Sequence, residues 1–302
     1  MKRSLALALA LLPPVLLANA QDPAMPLCPP GDFATMPENP DGDRAGRLAT
    51  LAQWERQGMA PMERLRVGAL HRLGPYHPAG LVEADLQKAR DVLAQAALDG
   101  QLLAMASSAE LELKHGDAMT GMVWAQLFSH FMQRARPAEM ETYQAHLIKR
   151  AFEALPSGEE TDRRVGSNVQ AVLDSFGARI EAGLASNGPD GSVPPAGCRD
   201  VTAVYPLELK SGSRSRWLSG GVNAINRHRL HHPGVALFLL QVDPDGKVAQ
   251  VAVVESLPGP EVAAALRGTV QGLRFNAVAA EAPPRTAFMP MTFDDNSVRI
   301  RR

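Results

Sequence analysis

The sequence predicts an N-terminal, solenoid-like α-helical region followed by a small α+β C-terminal region. Three observations carry this. Between Gly234 and Phe293, turn chemistry, strand alternation and helix spacing agree on the order strand, hairpin, strand, helix, strand. Upstream, aromatics make up only 5% of a chain rich in alanine, which favours helices packed through small residues over a β-sandwich. Between the two lies Ser186 to Gly197, a Ser/Asn/Gly/Pro run that reads as a linker. The expected divisions are 1–20, 21–44, 45–185, 186–200 and 201–302.

Met1-Lys2-Arg3 is a basic start, Ser4 to Leu17 an apolar run, and Ala18-Asn19-Ala20 a small-x-small cleavage site, so residues 1–20 read as a secretory signal peptide. The run is short and interrupted by Pro13-Pro14, whereas a membrane span needs about 20 apolar residues. The expectation is a periplasmic protein beginning at Gln21, with no stable membrane span after cleavage and no lipid on Cys28. An uncleaved, membrane-anchored form is the alternative. Residues 21–44 are a Pro-rich lead-in without apolar periodicity. Leu48, Leu51, Ala52 and Trp54 suit a first helix, Arg64 to Leu73 a second, and Gly74-Pro75 ends it. Ala89, Ala96, Ala97 and Ala104 would let two antiparallel helices approach closely, with Gly100 ending the first and Gly116 the second. Trp124 to Phe128 opens a further unit, and Ala138 to Leu155 and Val165 to Ala185 read as helices that cap the array.

Gly234 to Val242 is apolar apart from Gln241, as a strand with little water on either face would be. Asp243-Pro244-Asp245-Gly246 is a turn in which Pro244 presets φ and Gly246 takes the left-handed position. Lys247 to Glu255 alternates, putting Val251 and Val253 on one face and Val248, Ala252 and Val254 on the other. Ser256 to Pro260 breaks the strand. Glu261 to Gly272 has helical spacing, and Thr286 to Phe293 is a last strand with Ala287, Met289, Met291 and Phe293 on one side.

Residues 234–293 resemble the C-terminal domain of TonB-family energy transducers. The match lies in Gly234, Phe238, Asp243-Pro244-Asp245-Gly246-Lys247-Val248, Val253-Val254-Glu255-Ser256, Leu273-Arg274-Phe275 and Met291-Thr292-Phe293. Leu273 stands where that family has Trp, and Tyr205-Pro206, its usual lead-in pair, lies far upstream. The same residues also read simply as the core of a small α+β domain. Residues 86–131 resemble the Sel-like repeat, a relative of the tetratricopeptide repeat, with Ser107-Ser108 in place of the usual Leu-Gly. A generic helical domain is the other reading. Together the resemblances imply a protein-protein interaction module of the cell envelope whose partner is a protein, such as an outer-membrane protein peptide added to a sheet edge. A homodimer is left open. Energy transduction would require a membrane anchor and a long Pro-rich spacer, neither evident, so an energy-transducing form for outer-membrane transport is carried only as the anchored alternative.

The chain has 302 residues and a formal charge of −1, which gives no electrostatic reason to bind nucleic acid or anionic lipid. No G-x-S-x-G, H-E-x-x-H, Walker or dinucleotide motif occurs, so neither catalysis nor a cofactor is expected. A cell-envelope hydrolase or its accessory is the enzymatic alternative, with no residues to assign to it. His228, His231 and His232 form the only histidine cluster, without an adjoining Cys or carboxylate, and read as a solvated loop. The two cysteines, Cys28 and Cys198, are most simply a disulfide in an oxidising compartment; two free thiols are the alternative. The expected partner-binding edge is the last strand, with Thr286, Phe288, Met289, Pro290, Met291 and Phe293, because Pro290 removes a ladder donor and is tolerated chiefly at edges. In the competing reading, Asp294 to Arg302 folds over and shields that edge.

Overall fold

The computed structural model describes residues 32–135, 140–186, 204–210, 230, 232–294 and 297–300. The helical region comprises α1 (Arg44–Gln57), α2 (Pro61–Leu73), α3 (Leu86–Leu98), α4 (Leu102–His115), α5 (Ala118–Ala135), α6 (Glu141–Glu153) and α7 (Glu159–Ser186). Local chemistry sets their starts. The Asp43 carboxylate accepts from the amides of Ala45 and Gly46, and Asp85 accepts from Lys88 N at 3.0 Å. Glu63 reaches back to Ala60 N at 2.8 Å, with Pro61 as the first helical residue.

Ala89, Ala96, Ala97 and Ala104 are fully buried, as close packing of α3 and α4 requires. Helix α3 stops before Gly100, whose φ is +83°, and α4 stops at Gly116. A second reason fixes a glycine at Gly100. Helix α7 crosses the α3–α4 turn so closely that a Cβ on Gly100 would strike Leu184 N, and one on Gly183 would strike the Asp99 carbonyl. Asp99 also pairs with Arg64 and, at 2.6 Å, with Arg179 of α7. Helix α7 begins six residues before the expected Val165, with Glu159, Glu160 and Asp162 in its first turn, where the helix dipole favours acids.

The C-terminal region comprises β1 (Gly234–Val242), β2 (Val248–Leu257), α8 (Pro260–Gln271), β3 (Arg285–Asp294) and β4 (Ser297–Ile300), and the sheet is antiparallel in the order β2-β1-β3-β4. The β1–β2 turn is closed by Asp243 N to Lys247 O and Gly246 N to Asp243 O, both 2.9 Å, with Gly246 at φ +83°. Ala236, Phe238, Leu240, Val251, Val253, Met289, Met291 and Phe293 pack against Val262, Leu266 and Val270 of α8. Val235, Leu237, Leu239, Ala252, Val254 and Leu257 face the other way and join the core of the helical region. Both faces of the sheet are therefore covered, which is why β1 from Gly234 to Leu240 is apolar without alternation. The expected linker lies outside the described residues except for Ser186, which ends α7, and the regions on either side of it share one core.

Strand β2 corrects the alternation expected from sequence. Gln241 pairs with Gln250 but Val242 pairs with Val248, and Leu237 pairs with Glu255 but Phe238 with Val253. Ala249 and Val254 are thus extra residues in the ladder, and each such bulge reverses the facing of what lies beyond it. Val248 consequently joins Val251 and Val253 on the α8 side instead of facing away from them. The strand also runs on through Ser256 and Leu257, where the sequence suggested a break.

Candidate partner-binding edge

The second bulge re-aims the end of β2. With strict alternation Glu255 would point into the apolar α8 core. Beyond Val254 it instead turns toward the helices, where Arg72 of α2 donates to it at 2.6 Å and the Ser107 hydroxyl of α4 donates to its second oxygen. Arg72 also donates to Ser256 O at 2.9 Å. Ser256 faces α8, donating to Gly259 O at 2.6 Å and accepting from Ala263 N at 3.0 Å. Ser107 is thus the point at which α4 hydrogen-bonds to the sheet.

Beside this network lies His77, fully buried. Its Nδ1 accepts from Ala79 N at 3.1 Å, and burial pushes the imidazole down to about 4, partly opposed by Glu38 and Glu255 and reinforced by Arg72. A second buried ion pair ties the lead-in to α2: Arg66 donates from Nε and Nη2 to the two oxygens of Glu38 at 2.6 and 2.7 Å. The Arg66 guanidinium lies 4.4 Å from the Trp54 ring and 5.9 Å from the Phe288 ring. Trp54 of α1 and Phe288 of β3 are each half-buried.

Strand β3 pairs with β1 from Arg285 to Phe293, and β4 pairs only with Met291, Thr292, Phe293 and Asp294. Among the described residues no strand lies on the outer side of Arg285 to Pro290. The sequence placed all of Thr286 to Phe293 at the edge, whereas here the half containing Met291 and Phe293 lies between two strands. Their side chains, with that of Met289, are buried against α8. Thr286, Phe288 and Pro290 are half-buried. Val298 and Ile300, two residues apart in a tail otherwise polar or charged, were the available signal for β4. Pro290, which has no N–H, stands where pairing with β4 ends.

Arg285 holds the open end of β3 in place. It is fully buried and donates to the carbonyls of Pro206, Asp243 and Asn276 at 3.3, 3.2 and 3.1 Å. The segment after Tyr205-Pro206 runs alongside the stretch following α8: Lys210 N donates to Arg274 O at 2.9 Å and Asn276 N to Glu208 O at 2.8 Å. The distance in sequence from Pro206 to β1 therefore does not separate Pro206 from the sheet.

Comparison with protein-family models, curated proteins and solved structures returned no match.

Cys28, Cys198, His228 and His231 lie outside the described residues. His232 stacks on His146 of α6, ring centroids 4.9 Å apart, in a cleft of about 590 Å³ that also takes in Lys114, Lys149 and Pro258. Two of the charges in its wall are engaged structurally: Glu110 accepts from the Tyr143 phenol at 3.0 Å and from Arg150 at 2.8 Å, and burial followed by Glu110 raises the phenol well above its ordinary value. Among the described residues no three His, Cys, Asp or Glu side chains could hold a metal together, and no helix is long and apolar enough to cross a membrane.

Proposed function

We propose that this chain is a protein-protein interaction module of the periplasm, resembling the TonB C-terminal domain and acting without energy transduction. It takes an extended segment of a protein partner onto the outer edge of β3. The observation that supports this is the asymmetry of β3, paired from Arg285 to Phe293 on one side and, among the described residues, only from Met291 to Asp294 on the other. A strand edge with free amide and carbonyl groups accepts a partner backbone with little demand on its sequence, and side chains at alternate positions then add selectivity. The helices cover the face of the sheet that a lone domain would expose, so among the described residues its edges are the parts left to bind. The signal-like residues 1–20 support export.

The test is a photo-crosslinking residue introduced at Thr286 in the mature chain, mixed with a cell-envelope fraction. Gln250 of β2, at the opposite edge of the sheet, serves as the control position. Adducts to one discrete envelope protein from Thr286 and not from Gln250 are expected. No adduct at Thr286, or equal adducts at both positions, would overturn the reading.

A further inference from the structure

The Trp54–Arg66–Phe288 stack gives that edge a side-chain preference. We propose that the partner strand carries an aromatic side chain that seats on this stack, a claim that rests on Arg285 to Pro290 accepting a strand. Phe288 pairs with Leu239, whose side chain belongs to the core shared with the helices, so Phe288 points to the helical side of the sheet. A strand laid along the outer side of β3 places its residue opposite Phe288 on that same face, with Cβ atoms about 5 Å apart. That residue meets Phe288 directly, and on this proposal its ring extends past the Arg66 guanidinium, 5.9 Å from the Phe288 ring and 4.4 Å from the Trp54 ring, to reach Trp54; both aromatic side chains are half-buried.

Arg66 is 6% exposed and its Nε and Nη2 are held by the fully buried Glu38. The cation is thereby already neutralised, so the stack offers ring faces and not a free charge for a partner carboxylate. It is also fixed in place before binding, which spares the partner the cost of ordering it. An aromatic ring suits such a surface better than an aliphatic chain because edge-to-face packing adds to the area it buries.

The mature chain would be titrated calorimetrically with acetyl-Thr-Val-Thr-Phe-Thr-Val-Thr-amide and with the same peptide carrying Ala at its centre, while amide exchange is followed along β3. The expected result is slowed exchange at Thr286 to Met289 with either peptide, and binding about tenfold tighter for the Phe peptide. Trp54→Ala should abolish that difference and Trp54→Phe should restore it, which separates lost contact from lost fold. Slowed exchange with equal affinity for both peptides would overturn this inference and leave the edge reading intact. No slowing with either peptide would overturn both. Self-association of the chain through β3 without peptide would mean that the edge serves a second copy, and the inference would fall.

Discussion

His77 is the residue at which solution conditions bear most directly on the fold. Its imidazole titrates near 4 when folded, against about 6.5 in an unfolded chain, so the neutral form is the one the fold accepts. This contribution is complete above about pH 6.5. As pH falls toward 4 the unfolded chain takes up a proton that the folded chain refuses, and about 3 kcal/mol of stability is lost. Urea unfolding at several pH values should show that loss, and His77→Gln should flatten the profile between those limits. A profile that His77→Gln leaves unchanged would contradict the assignment. Glu255 is the second sensitive residue. Glu255→Ala leaves Arg72 buried without its carboxylate and should cost about 3 to 5 kcal/mol in urea unfolding, while Arg72→Met combined with Glu255→Leu should cost much less. A single-variant cost under about 1 kcal/mol would mean that Arg72 finds water or another partner. Neither role was legible in the sequence. Glu255 reads as one polar residue at a strand end, and what makes it a buried partner of α2 and α4 is a bulge that no local propensity signals.

At the scale of elements, helices and turns were legible wherever caps and breakers stated them. Gly100, Gly116, Gly246 and the prolines around residue 75 mark true ends because each acts on the chain within a few residues. Facing within β2 was not legible, because it depends on pairing with distant residues. The tail folding onto the β3 edge was one of the two readings the sequence offered, and β4 realises it over Met291 to Asp294 only. The acids at Glu159, Glu160 and Asp162 were a local signal for the earlier start of α7 that the apolar spacing from Val165 did not use. Helix α7 offers a contrast between two of its own glycines. A Cβ on Gly183 would collide with the Asp99 carbonyl, whereas one on Gly177 would come near only Leu173 of the same helix, at 4.0 Å. Gly177→Ala should therefore raise stability by up to about 1 kcal/mol through helix propensity. Gly183→Ala should lower it by about 1 to 3 kcal/mol by displacing α7 from the α3–α4 turn. Thermal unfolding of the two variants checks the signs, and equal effects would show that α7 does not lie against that turn as described.

At the scale of the whole molecule, the sequence presents two regions divided by a linker, and the structure joins them through the sheet. The apolar run of β1 carried that information, since a strand dry on both faces must be covered twice, but it did not say by what. Once the helices occupy one face and α8 the other, the exchangeable surface of the C-terminal region reduces to its edges, and on the outer side of β3 to the portion β4 leaves open. Ending the chain after Asp294 removes β4 and lengthens the open edge from Arg285–Pro290 to the whole of β3. Sedimentation and peptide titration of this truncated chain test the central claim most directly. The account predicts stronger self-association or tighter binding of extended peptides than the full chain shows; no change in either would contradict an accessible edge at β3.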